Sequence, residues 1–106
     1  MEFINQVHLR GIVGTVREVT VDGRAHYRFS LCTEYLYRVN QGPVVETTWH
    51  DVSYFAKQGE RLDWLTKGAI VEAEGRIRMQ SYHTPEGETR PICSVCVSSV
   101  KQVTEG

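Results

Sequence analysis

Apolar and polar side chains alternate over nine consecutive residues, AHYRFSLCT (25–33). Such a period of two is typical of a β-strand with one buried face. The residues predicted to point inward are Ala25, Tyr27, Phe29, Leu31 and Thr33. A helix would scatter these side chains around its circumference, so the alternation confines the segment to a sheet. The preceding dipeptide Asp22-Gly23 favours a tight hairpin, which predicts a partner strand just before it.

Four further segments have strand-like patterns, and they cover residues 5–21, 46–57, 69–82 and 90–103. Gly11 and Gly14 interrupt the first of them, which suggests a bulge or bend within one long strand. Residues 38–46 contain Asn, Gly and Pro and are predicted to form a loop, as is the polar segment 83–89. The single predicted helix is QGERLDWLTKG (58–68). Its Leu62 and Leu65 are three residues apart, and Gly68 is suitably placed to end it.

Five strands with one short helix between the third and the fourth is the element order of the OB-fold. The predicted fold class is therefore all-β: a five-stranded OB-fold Greek-key barrel with one short helix between strands 3 and 4. A five-stranded sandwich with an incidental helix is the alternative that the pattern leaves open. The length of 106 residues suits one domain, which we expect to span residues 1–106.

The overall charge narrows the classes of function. A formal net charge of −1 excludes a polycation that is held to nucleic acid by bulk charge, although it permits a local basic strip. No apolar run approaches the roughly 20 residues that span a bilayer, and the N-terminus lacks the pattern of a secretory signal. The expected location is the cytoplasm, and the odd number of cysteines, 3, implies no disulfide framework.

Motifs of catalysis and of cofactor binding are missing from the sequence: it has no GxGxxG, Walker-type loop, HExxH or GxSxG. Cys93 and Cys96 form a CxxC, but residues three apart on a strand point to opposite faces and cannot chelate one ion. Glu72 and Glu74 share a strand face, as solvated carboxylates commonly do. We therefore predict no enzyme, no cofactor and no metal site.

Aromatic and basic residues suggest a binding surface. Trp49 and Phe55 share one face of the third strand, with polar residues between them, whereas Val52 and Tyr54 on the other face suit a core. On the fourth strand Arg76, Arg78 and Tyr82 likewise share a face. Rings stack on bases, each worth about 1–3 kcal/mol, and cations follow phosphates, which favours single-stranded nucleic acid. The alternative is that Trp49 and Phe55 belong to the core or to a subunit interface.

Several stretches, in order, resemble the bacterial single-stranded DNA-binding protein family. They cover roughly residues 5–103 and are NQVHLRGIVG, SLCTEYLY, TTWHDVSYFAK, LTKGAIVEAEGRIRMQSY and ICSVCVSSVKQV. The most specific is TTWHDVSYFAK, with its Trp-His pair, a Phe six residues after the Trp and a Lys two residues further on.

The resemblance implies an OB-fold that forms a homo-oligomer, usually a tetramer although a dimer is possible, and that coats single-stranded DNA without sequence preference. By position it implies base-stacking roles for Trp49, Phe55 and Tyr82, and for Tyr37 where the family commonly has Trp. The residues implied to meet phosphates are Lys57, Lys67, Arg76, Arg78 and Arg10.

The sequence also departs from the family pattern. The family usually continues into an acidic tip that recruits partner proteins, whereas KQVTEG ends this chain, so tail-mediated partners are not expected. Asp51, Gln80 and Ser81 are acidic or neutral where the family tends to be basic, which predicts weaker binding and a shallower salt dependence. An alternative function is therefore an OB-fold protein-interaction module, such as a primosome component or a paralogue that has lost DNA binding.

Overall fold

The computed structural model describes residues 1–104, in which five β-strands form a closed barrel. The strands are β1 (Val7–Val21), β2 (Arg24–Val39), β3 (Gly42–Phe55), β4 (Ile70–His83) and β5 (Thr89–Gln102). Their order around the barrel is β1-β2-β3-β5-β4, and β4 closes it by pairing with β1. Neighbours are antiparallel except β3 and β5, which run parallel. This is the Greek-key arrangement of the OB-fold, so the barrel is confirmed and the sandwich alternative is not.

The interior of the barrel is filled by buried side chains that come from alternate positions along the strands. Tyr27, Phe29 and Leu31 are buried on β2, as the alternation predicts, and Val52 and Val71 face them from β3 and β4. Burying a side chain of this size contributes about 1.5–3 kcal/mol each to folding. The alternation in the sequence therefore decides which face of each strand is left outside for binding.

Strand β1 pairs with two neighbouring strands. Its first half pairs with β4, and its second half pairs with β2 from Ile12 onward, with a bulge between Val13 and Val16. The long, bent first strand that the sequence predicts is thereby confirmed. The hairpin that follows has positive φ at both Asp22 (51°) and Gly23 (76°), the backbone that a two-residue type I′ turn requires.

The predicted helix is wrong: residues 56–69 form turns, and no helix occurs among residues 1–104. Leu62 and Leu65 are buried as their spacing suggests, but one turn suffices, closed by Leu65 N donating to Leu62 O at 3.1 Å. The Leu62 amide donates instead to the Tyr27 hydroxyl at 2.9 Å. Because the barrel satisfies that amide, a helical ladder is not needed. Accordingly, no helix long and apolar enough to cross a membrane occurs in the described part of the chain.

The predicted loop at 38–46 is also wrong. Strands β2 and β3 stay paired as far as Val39 and Gly42, and only Asn40 and Gln41 form the turn. The result is a long hairpin arm that projects beyond the barrel, with exposed side chains on both faces. Strands β4 and β5 form a second arm, and the predicted loop at 83–89 shrinks to the turn after His83, where Thr84 N donates to Glu88 O at 2.8 Å.

Candidate nucleic-acid interface

Strand β3 places its two candidate aromatic residues on the outside of the barrel. Trp49 is 61% exposed and Phe55 is 54% exposed, whereas Val52 and Tyr54 on the opposite face are buried. Period-two geometry causes this separation. The alternative in which Trp49 and Phe55 lie in the core of this chain is therefore excluded.

Trp49 lies against β1 where that strand has no side chain. A Cβ placed on Gly14 would come within 2.7 Å of Trp49 Cζ3 and within 2.6 Å of Ser30 Oγ. The indole thus occupies space that only a glycine leaves open. The sequence pattern suggests a bulge near this glycine but does not reveal that it seats the tryptophan.

Phe55 is stacked on His26 of β2. The two ring centroids are 4.1 Å apart and the ring planes are parallel, at 0°. His26 Nε2 also forms a 2.6 Å hydrogen bond with Ser53 Oγ. Burial, with a smaller contribution from nearby Arg28, lowers the pKa of His26, so the ring is held neutral. One face of Phe55 is consequently covered, and the partner ring is a residue that the sequence analysis missed.

A groove of about 240 Å³ opens beside Phe55 and leads to β4. Its lining residues are His26, Ser53, Phe55, Arg76, Arg78, Gln80, Cys96 and Val97. Arg76 and Arg78 are exposed, and neither forms an ion pair within residues 1–104. We call this outer surface of β2, β3, β5 and β4 the aromatic face; its members are Trp49, Asp51, Ser53, Phe55, His26, Arg28, Arg76 and Arg78.

A third arginine of the aromatic face is paired. Arg28 Nε donates to Asp51 Oδ1 at 3.2 Å, and Arg28 Nη2 donates to Asp51 Oδ2 at 2.7 Å. The hydrogen bonds to Asp51 raise the pKa of Arg28. The sequence analysis noted Asp51 as an acidic residue where the family tends to be basic. That Arg28 is its partner could be found only from the strand register.

The two remaining candidate aromatic residues lie on the arms. Tyr82 is exposed on the β4–β5 arm and shares its strand parity with Arg76 and Arg78. Tyr37 is exposed on the β2–β3 arm, and its ring centroid is 6.3 Å from that of Tyr35, a residue that the sequence analysis did not select. Because Tyr35 and Tyr37 are two apart on a strand, period two could have linked them.

The two candidate lysines lie in the long connection between β3 and β4. Lys57 follows β3 closely, and its backbone amide donates to Glu60 Oε1 at 2.9 Å. Lys67 is exposed in the turn whose next residue, Gly68, donates its amide to Val13 O at 2.9 Å. Neither lysine lines the groove beside Phe55.

Arg10 lies in different surroundings from the other candidates. Its Nε and Nη2 donate to Glu72 Oε1 at 3.0 and 2.7 Å, and His8 and Lys101 contact the same carboxylate at 3.1 and 3.5 Å. These hydrogen bonds, chiefly from Arg10, lower the pKa of Glu72 to about 2. We call this group, which includes Glu74, the Glu72 cluster. The structure therefore does not place Arg10 on the aromatic face.

Two groups of residues raise the question of a metal. Possible ligand atoms of His8, Glu72 and Glu74 lie within 4.8 Å of one another. Arg10 and Lys101 already neutralise Glu72, so we interpret the group as an ion-pair network. Cys93 and Cys96 are free thiols, and on β5 they pair with two different β4 residues, Met79 and Arg76.

Comparison with known proteins identifies the family. The model of the single-strand binding protein family matches residues 4–103. The single-stranded DNA-binding protein of Neisseria meningitidis serogroup A is 31% identical over 104 residues, covering 94% of this chain and 60% of the relative. That of Xanthomonas campestris pv. campestris is 36% identical over 88 residues, covering 79% and 51%. The chain belongs to the single-strand binding protein family, and it spans about half to 60% of the length of these curated relatives.

Two solved structures share the fold of this chain. A Plasmodium falciparum SSB in complex with single-stranded DNA superposes with a TM-score of 0.79 at 22% identity, over 98% of both chains. A deletion mutant of the Thermus aquaticus single-stranded DNA-binding protein also has a TM-score of 0.79, at 20% identity, covering 95% of this chain and 51% of that one. At such identities the likeness establishes the fold.

Proposed function

We propose that this chain binds and coats single-stranded DNA without sequence preference and performs no catalysis. The observation that carries the proposal is the aromatic face. Phe55 lines a groove together with Arg76 and Arg78, which have no ion pair within residues 1–104, and Trp49 is exposed further along the same face of β3. Stacking on Trp49 and Phe55 accepts any base, because every base has a π-face. Arg76 and Arg78 would meet phosphates and release counterions, which makes binding depend on salt.

The arms and the two ends of the β3–β4 connection extend this proposed path. Tyr82 and Tyr37 would add stacking positions, and Lys57 and Lys67 would contact phosphates at the margins. Family membership supports this use of the surface, as do the Neisseria and Xanthomonas relatives named as single-stranded DNA-binding proteins. We leave Arg10 out of the path because Glu72 holds its guanidinium.

We further propose that the OB-fold acts as a single DNA-binding domain over residues 1–106 in a homo-oligomer, as a tetramer or a dimer. Exposed apolar side chains outside the aromatic face, such as Ile12, Leu36 and Val45, supply surface that association would cover. The role we propose is in replication, repair or recombination. Cytoplasmic location is compatible with three cysteines that are unpaired.

A second candidate function is a protein-interaction module, favoured by the exposed apolar pair Leu36 and Val45 on the β2–β3 arm. On this hypothesis the arm contacts a protein partner and the aromatic face has lost its affinity for DNA. The two candidates differ in whether the purified chain binds an oligonucleotide.

A titration with oligo(dT), followed by tryptophan emission at low and high salt, tests the leading proposal. Base stacking on Trp49 should quench its emission, and the quenching should weaken as salt rises. The variant W64F removes the other tryptophan, which packs against the core, and so assigns the signal. Absence of binding at low salt would reject DNA coating and leave the interaction module.

A further inference from the structure

The Arg28–Asp51 ion pair has the geometry by which arginine also binds phosphate. Two nitrogens of one guanidinium meet the two oxygens of one carboxylate at 3.2 and 2.7 Å. The planar fork of arginine matches carboxylate and phosphate oxygens in the same two-pronged way. A carboxylate on the Nε–Nη2 edge of Arg28 therefore keeps phosphate from that edge and cancels the charge that would attract it.

The pair stands in the middle of the aromatic face. Asp51 lies between Trp49 and Phe55 along β3, two residues beyond the first and four before the second. Arg28 is the cross-strand neighbour of Ser53, and the next outward residue on β2 is His26, which stacks on Phe55. A strand that stacks on both rings must pass over this pair.

Both groups are accessible to such a strand. The side chain of Arg28 is 44% exposed and that of Asp51 is 31% exposed. An exposed ion pair of this kind contributes little to folding. Its position matters more for a ligand, because an acidic group here repels phosphate and occupies a cation that would otherwise attract it.

We propose that Asp51 acts as a built-in competitor of DNA phosphate, holding Arg28 and so setting both the affinity for single-stranded DNA and its salt dependence. The inference rests on the proposed function and deepens it. In the free protein Arg28 is neutralised and adds no counterion release. Binding proceeds on Arg76 and Arg78, and the contribution of Arg28 is withheld.

The experiment compares D51N with the unchanged chain, using an oligothymidylate of roughly eight nucleotides, within the reach of one OB-fold. Freeing Arg28 for one phosphate should steepen the slope of log affinity against log salt by about 0.7. That corresponds to roughly eightfold tighter binding at 50 mM salt and roughly threefold at 200 mM. D51S, with a smaller uncharged side chain, is measured in parallel, and circular dichroism checks that each variant folds.

Two controls separate competition from net charge. D63N makes the same chemical change at an exposed acid in the β3–β4 connection, and it should leave affinity and slope unchanged. In an R28Q background, D51N should no longer steepen the slope, since the cation that it frees is gone.

The outcomes are distinct. A steeper slope in D51N that disappears with R28Q and is not reproduced by D63N supports the proposal. An unchanged slope in D51N and D51S, while the parent chain binds, overturns the competitor and leaves the proposed function standing. An equal gain in D63N or in the R28Q background also overturns it, because Asp51 would then act by bulk charge alone. Failure of every variant to bind rejects the proposed function together with the inference.

Discussion

The aromatic face and the Glu72 cluster both carry arginines on the outside of the same barrel, yet they differ in what faces each arginine. Strand register sets Arg10 opposite Glu72, whereas Arg76 is opposite Cys96 and Arg78 is opposite Ser94. Arg10 is therefore neutralised by a carboxylate, while Arg76 and Arg78 keep their charge available beside exposed rings. The comparison shows that an arginine becomes a candidate phosphate contact when the register brings no carboxylate within reach of it, and not through its residue type alone.

The largest expected effect is that of W49A. Removing the exposed indole should weaken binding of short oligo(dT) by roughly fivefold to a hundredfold, because one base loses its stacking partner. Equilibrium titration with labelled oligonucleotide measures the loss. The matched control W64F changes the other tryptophan, which packs against the core, and should bind normally. A W49A protein that unfolds would show that the indole is needed for the barrel instead.

Next in size is the contrast between R78Q and R10Q. Loss of a free cation should lower the salt slope by about 0.7 and weaken binding roughly eightfold at 50 mM salt in R78Q. R10Q should bind as the parent chain does, because Glu72 already holds Arg10. Salt-dependent titrations of both variants test the comparison directly. Equal losses in the two variants would break it and return Arg10 to the DNA path.

A smaller effect is expected for G14A. The added methyl group would lie within 2.7 Å of the Trp49 ring, so the indole must shift while the core residues stay in place. We expect altered tryptophan emission and a loss of affinity smaller than that of W49A. Fluorescence and oligonucleotide titration of G14A in a W64F background measure both. Unchanged emission and binding would show that Gly14 does not seat the ring.

The smallest effect concerns stability in acid and is confined to the Glu72 cluster. The pKa of Glu72 falls from 4.5 to about 2 on folding, so its contribution to stability is present above pH 4.5 and is lost as the pH falls through about 2. In E72Q the melting temperature should depend less on pH across this window. Thermal melts at several pH values measure this dependence. A parallel pH dependence in E72Q and the parent chain would contradict the assignment.

Much of the barrel was predictable because its information is local. Alternation over residues 25–33 identified β2 and its buried face, and Asp22-Gly23 identified the hairpin. Two predictions failed where packing decided the outcome. The Asn, Gly and Pro in residues 38–46 indicated a loop, but continued pairing with β2 extends β3 back to Gly42. Leu62 and Leu65 indicated a helix. The Leu62 amide instead donates to the Tyr27 hydroxyl, so it does not take part in a helical hydrogen bond.

The candidate site likewise has features that the sequence predicts and features that only packing decides. Strand parity placed Trp49 and Phe55 on one outer face, and that placement is confirmed by their exposure. The stacking of His26 on Phe55 and the pairing of Arg28 with Asp51 depend on register between β2 and β3. These partners are 29 and 23 residues apart in the chain, and no local pattern connects them.

The sequence by itself determined which side chains of each strand face the core and which face outward, since that choice depends only on period two and hydrophobicity. It also determined the two rings on β3 and the basic residues on β4. Only the tertiary structure decided which arginines of residues 1–104 have no ion pair. The reason is that the register sets which carboxylates come within reach of each guanidinium. Closing the barrel sets that register, and it separates the open aromatic face from the Glu72 cluster.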